Sequence, residues 1–202
     1  MADPVRPRTR LQEKYPEAIA VLDSVTPSGH EASARVPLER GRVLRSRGDQ
    51  DQARPYFEQV ATIAEAGGID ALLIDALHMQ ALVAPAADHK AINEHALEVA
   101  RSSADESARD WDASLLNNIG MNYADDGDFN AALDVFGQAV AARERIGAAA
   151  ETRVARWMVG WSLRKLNRRD EALIMQSALK AELDALGSTD PYVDEELDLL
   201  AK

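Results

Sequence analysis

Two tryptophans, Trp157 and Trp161, stand four residues apart in a chain of 202 residues. At helical spacing they stack along one face, and an exposed pair of this kind anchors a partner by burying large, rigid area. The competing reading packs them beneath a C-terminal helix, beside Tyr192 and Leu197. Asn117 and Asn118 are neighbouring amides, and an amide donates and accepts at once, which suits recognition of a peptide backbone. Against that stands an ordinary solvent-facing Asn. Arg35, Arg42 and Arg45 fall on one side of a helix, and Arg164, Lys165, Arg168 and Arg169 cluster further on. Such groups either draw a carboxylate or phosphate or form a solvated charged face.

Catalytic and metal chemistry find little support. His30, His78, His89 and His95 include no pair at the i, i+4 spacing of a helical metal site. No nucleophile elbow, Gly-x-Gly-x-x-Gly or Gly-x-x-x-x-Gly-Lys loop occurs. Asp125, Asp126 and Asp128 resemble part of a calcium loop but lack its remaining spacing and closing Glu. They read as a helix end, a turn and an N-cap. The expectation is no enzyme, no cofactor and no metal.

Composition narrows the class. Hydrophobic residues make up 46% and charged residues 28%, as in ordinary globular chains, while aromatics are only 5% and Ala is abundant. That balance favours close-packed helices over sheet. A net charge of −11 argues against broad nucleic-acid binding, which needs phosphate-neutralising Lys and Arg. No run approaches the roughly 18 apolar residues of a membrane span, and MADPVRPRTR is followed by no apolar leader core. With no cysteine there is no disulfide framework or thiolate site. A cytoplasmic protein with no membrane and no nucleic-acid partner is expected.

The elements that must position these residues are clearest between Ser114 and Val140. Leu116, Ile119, Gly120 and Tyr123 share one helix face; Ala132, Leu133, Phe136, Ala139 and Val140 share another. Between them Gly127 supplies a positive-φ turn and Asp128 an N-cap. Gly120 and Ala132 are small where antiparallel helices must approach closely.

This pattern resembles the tetratricopeptide repeat (TPR) family, through Leu116, Ile119-Gly120, Tyr123, Gly127, Ala132, Phe136 and Ala139. Similar units begin elsewhere. One runs through Leu38, Gly41, Leu44, Gly48-Asp49, Ala53, Phe57 and Val60, with Pro37 and Pro55 expected near helix starts. A degenerate one spans residues 70–101, with Met79 in the place of the family's glycine and Pro85 to Asp88 as the turn. The last carries Val159-Gly160, Leu163, Asn167 and Ala172, but Gln176 where the family has an aromatic. Asn167 is expected to take the left-handed conformation usual for Gly. Ala18, Ala53, Ala91, Ala132 and Ala172 are read as equivalent; repeats of about 40 residues resemble those of the kinesin light chain group and of bacterial peptide-sensing regulators.

The resemblance implies an all-α, right-handed superhelical α-solenoid of antiparallel helix pairs. Residues 1–10 form a flexible arm, and residues 11–202 a single TPR-like domain with repeats at about 34–68, 70–101, 113–147 and 153–187. A capping helix occupies about 190–201, and residues 102–110 are a solvated segment. It further implies a peptide-binding groove lined by the first helix of each repeat: Arg35, Leu38, Arg42, Arg45, Leu73, Gln80, Asn117, Met121, Asp125, Trp157, Trp161, Arg164 and Lys165. The function so implied is a scaffold or adaptor that binds a peptide segment of a partner protein. The alternatives are a homodimerising structural module and a regulatory peptide-sensor domain.

Overall fold

The computed structural model describes residues 14–202. All regular structure among them is helical: α1 (Tyr15–Ser24), α2 (Gly29–Arg47), α3 (Gln50–Gly67), α4 (Asp70–Ala81), α5 (Ala86–Ser102), α6 (Glu106–Arg109), α7 (Asp112–Asp125), α8 (Phe129–Ile146), α9 (Ala149–Lys165), α10 (Arg169–Ala185) and α11 (Pro191–Ala201). The expected arm at 1–10 lies outside the described residues. The chain forms two compact units, Met1–Val99 and Ala100–Lys202.

In the first unit α2 and α3 form a helical hairpin, α4 packs on α3, and α1 rests on α2. Its core holds Leu38, Phe57 and Ile74, none more than 1% exposed. Helix α2 starts at Gly29, so Pro37 lies inside it and is buried, rather than near its start. Pro55 likewise falls in the second turn of α3, which Asp49 precedes. Each proline removes one helical N–H bond, which the packing of a long helix tolerates.

In the second unit α7 pairs with α8, α8 with α9, α9 with α10, and α11 closes against α10 and α9. The turns follow their local chemistry. Gly127 takes φ +80° and Asn167 φ +62°, so the amide side chain does replace glycine there. Asp128 accepts a hydrogen bond from the Ala131 N–H at 3.0 Å, capping α8. The stretch before α7 is mostly exposed, yet it contains a short helix: Asp105 caps α6, and Ala108 and Ser103 are buried.

One contact recurs at a fixed offset. A Cβ on Gly41 would stand 2.5 Å from the Phe57 ring, and one on Gly120 would stand 2.5 Å from the Phe136 ring. Each glycine lets the ring, sixteen residues later, lie directly on the helix backbone. Gly160 repeats the arrangement with Gln176, whose Nε2 would be 2.6 Å from such a Cβ.

The same offset corrects the degenerate repeat. Ala91 is exposed, whereas Asn93 is 3% exposed, and Leu97 and Ala100 behind it are buried. Asn93, with Leu97 four residues later and Ala100 seven, therefore occupies the place of Ala132, Phe136 and Ala139. Sixteen residues before Leu97 stands Ala81, 5% exposed, so Ala81 and not Met79 takes the glycine position. The small-position residues Ala53, Asn93, Ala132 and Ala172 then recur at 40, 39 and 40 residues. Reading the pattern from Ala91 missed this because a buried Asn carries no apolar signal.

Candidate functional site

In the first unit, the expected groove residues are largely taken up by the fold. Leu38 and Leu73 are 1% and 8% exposed, so both serve the core and present little surface to a ligand, a correction to the groove expectation. Their apolar side chains are worth more buried than facing water. Arg42 donates to both carboxylate oxygens of Asp75 at 2.6 and 2.8 Å and also pairs with Glu39, tying α2 to α4. Arg35 is exposed and paired with Glu31 on its own helix. The Gln80 amide donates to the Phe57 carbonyl at 3.1 Å. Arg45 is half-buried, and its charge, with that of Arg42, reaches His78. Burial is the larger influence there and pushes the His78 imidazole below its ordinary pKa, with Asp75 opposing.

The second unit gathers its expected residues differently. Trp157 and Trp161 stack with ring centroids 6.1 Å apart and planes within 7° of parallel. The Phe129 ring meets Trp161 edge-on at 5.3 Å, and Tyr192 meets Trp157 edge-on at 5.9 Å. Trp157 Nε1 donates to the Tyr192 carbonyl at 3.0 Å, and its ring packs with Leu197 against the cluster of Leu179, Leu183 and Val193. Trp157 thus braces α11, as one of the two sequence readings had it. It also lines an open pocket of about 520 Å³, so the two readings are not exclusive.

That pocket is walled by Met121 from α7, by Val154, Trp157, Met158 and Trp161 from α9, and by Asp190 and Tyr192 at the start of α11. Its lining is apolar apart from Asp190, whose carboxylate is occupied in capping the Tyr192 N–H at 2.9 Å. Val154 and Tyr192 are 50% and 64% exposed, unusual for large apolar groups that serve only packing. Tyr192 was expected beside the tryptophans only in the reading that packs them beneath the C-terminal helix, and Met158 and Asp190 were missed, because no repeat spacing places the start of α11 against α9. Asn117 is half-buried and Asp125 exposed, both on α7 with Met121 between them at one-turn intervals. Lys165, exposed at the end of α9, holds its ammonium 5.7 Å from the Phe129 ring centroid and 6.0 Å from that of Trp161. A cation in that position is held by the ring faces while keeping its charge available.

Arg164 departs from expectation. Its guanidinium makes two 2.6 Å hydrogen bonds to Glu196, whose side chain is 5% exposed. The Glu196 hydrogen bonds and burial act oppositely on it, and the net effect holds its pKa above the ordinary value. It is a clamp between α9 and α11, and not a free receptor for an incoming carboxylate.

Antiparallel helix pairs stacked at a period near 40 residues define an all-α protein of the solenoid class, a class that works by presenting surfaces to other proteins. Two stretches, residues 113–146 and residues 36–66, match tetratricopeptide repeat models. These two stretches are tetratricopeptide repeats, and a protein-interaction scaffold role in general goes with such repeats. No curated protein matches it in sequence. Among solved structures, the apo form of RapI superposes with a TM-score of 0.73 at 15% identity, covering 89% of this chain and 66% of its own. The chain thus spans just under two thirds of that structure. BtubC (BKLC) from P. vanneervenii gives 0.69 at 16% identity over 89% of this chain and 74% of its own. The nearly identical TPR-like repeats of a candidate kinesin light chain from Podosopora anserina give 0.61 at 15% identity over 84% of each chain. At such identities the likeness concerns the fold.

Proposed function

We propose that the protein is an adaptor that holds a peptide segment of a partner protein in the tryptophan-lined pocket of its second unit. The observation that carries this is the open apolar cavity between Met121, Trp161 and Tyr192, floored by stacked indoles. Such a cavity suits one bulky apolar side chain of the ligand. Asn117 on α7 can bond the ligand backbone, and Lys165 offers a charge to an acidic residue beside the anchor. Because packing already fixes the indoles, the ligand bears most of the ordering cost. A cytoplasmic location goes with this proposal and is read by cell fractionation.

Selection from a random peptide library on the immobilised protein tests the reading. Enriched peptides should carry an aromatic or large aliphatic residue flanked by Asp or Glu. Val154→Asp and Trp161→Ala should weaken their binding at least tenfold while helicity is unchanged. Val154 is half exposed, so its replacement tests the pocket with little risk to folding. Wild-type affinity in both variants would place binding elsewhere. Self-association is the second reading, favoured by Leu173, Ile174 and Leu186, which are 44%, 72% and 60% exposed. Concentration-dependent mass by light scattering decides it.

A further inference from the structure

A second pocket in the same unit, of about 580 Å³, shares no lining residue with the first and is polar. It forms where the C-terminal end of α5, the short α6 and the last turn of α8 converge, and it is lined by Arg101, Arg109 and Arg145 with Glu106, Asp110 and Asp112. The formal charges cancel, but the ion pairing is uneven. Arg145 donates to both oxygens of Asp112, at 2.9 and 3.0 Å, and to Asp110 at 3.2 Å, so two carboxylates are committed to one guanidinium. Arg101 bonds the neutral amide of Gln138 at 2.9 Å. Arg109 donates from Nη1 to the carbonyl oxygens of Ser103 and Ala104, at 3.2 and 2.7 Å. Neither has a carboxylate partner among the described residues. Two guanidinium groups with unused donors and no such partner therefore line this cavity, beside Glu106 and the Arg145–Asp110–Asp112 cluster.

We propose that this pocket binds the phosphate group of a small organic phosphate through Arg101 and Arg109. One guanidinium fork satisfies the two oxygens of a carboxylate, whereas a phosphate has oxygens enough for two forks arriving from different elements. The cavity is larger than one phosphate ion and falls within the range of small-molecule sites, leaving space for the organic part. Arg109 is already oriented by its carbonyl bonds, and the α5–α7 connection is pinned by the buried Ala108 and Ser103. Neither guanidinium must be drawn out of an ion pair before it can bind an anion.

The test is an NMR titration of the full chain with its arginine side chains labelled. Inorganic phosphate and glycerol 3-phosphate are added separately, against sodium chloride at matched ionic strength. Saturable shifts of the Arg101 and Arg109 Nε–H signals are expected with both phosphates, tighter with the ester. In Arg101→Gln the affinity should fall at least tenfold, with helicity unchanged by circular dichroism. Arg109→Gln should do the same; if it loses helicity through its carbonyl contacts, Arg101→Gln alone decides. Equal affinity for the ion and the ester supports the site but assigns it to free phosphate. Shifts no larger than those caused by chloride, or undiminished in Arg101→Gln, overturn the proposal.

Discussion

Replacing Gln176 by Phe should stabilise the second unit. Gln176 is fully buried, with its Nε2 donating to the Trp157 carbonyl at a long 3.3 Å, while its Oε1 has no partner. An unsatisfied buried acceptor costs about 1–3 kcal/mol, and a hydrogen bond contributes about 0.5–1.5 kcal/mol net. Burying a Phe side chain adds about 1.5–3 kcal/mol, against which overpacking costs about 1–3 kcal/mol. The fit can be judged inside this protein. Gly41 and Gly120 accept the rings of Phe57 and Phe136 in the arrangement that Gly160 offers to residue 176. The net expectation is a gain of about 1–2 kcal/mol. At roughly 4–8 °C per kcal/mol for a domain near 100 residues, the unfolding midpoint of that unit should rise by about 4–16 °C. Calorimetry and urea unfolding read this directly, with the nearly isosteric Gln176→Met as a control for ring size. A loss of more than about 1 kcal/mol in both variants would refute the reasoning, because it would mean that the amide is fully satisfied in solution, as by a buried water.

Three other outcomes are expected. Gly120→Ala should cost about 1–3 kcal/mol or more in chemical unfolding, since the new methyl would meet the buried Phe136 ring at 2.5 Å. Arg164→Ala should destabilise by about 3 kcal/mol, because Glu196 is left buried without its partner, and hydrogen exchange should rise first in α11; Arg164→Met paired with Glu196→Leu should recover most of that loss. For His78, whose pKa is lowered by burial, the folded first unit resists a proton that the unfolded chain accepts. Stability should be full above about pH 6.5 and fall as pH drops through that value toward the lower folded pKa. Denaturant midpoints from pH 7.5 to 5 should show the decline, flattened in His78→Gln.

Much of the fold was legible because it rests on short-range rules. Gly127, Asp128 and Asn167 act within a few residues of themselves, through backbone conformation and capping, so their roles could be read from residue type alone. Gly120 and Ala132 announced a helical pair because close approach needs small residues, whereas the seating of the Phe136 ring on Gly120 emerged only from the structure. The register of the degenerate repeat was harder, since Asn93 fills a core position that only its burial identifies.

The site divides along the same line. Sequence determined that Trp157 and Trp161 share a helix face and that Lys165 continues it by one turn, because helical periodicity is a property of the chain itself. Only the tertiary structure decided what that face meets. It set Tyr192 and Asp190 of α11 beside the indoles, committed Arg164 to Glu196 and Arg42 to Asp75, and sank Leu38 into the core. Those outcomes depend on which helices pack together across 30 or more residues. No local spacing encodes such a pairing, and burial and charge compensation act only once it is made.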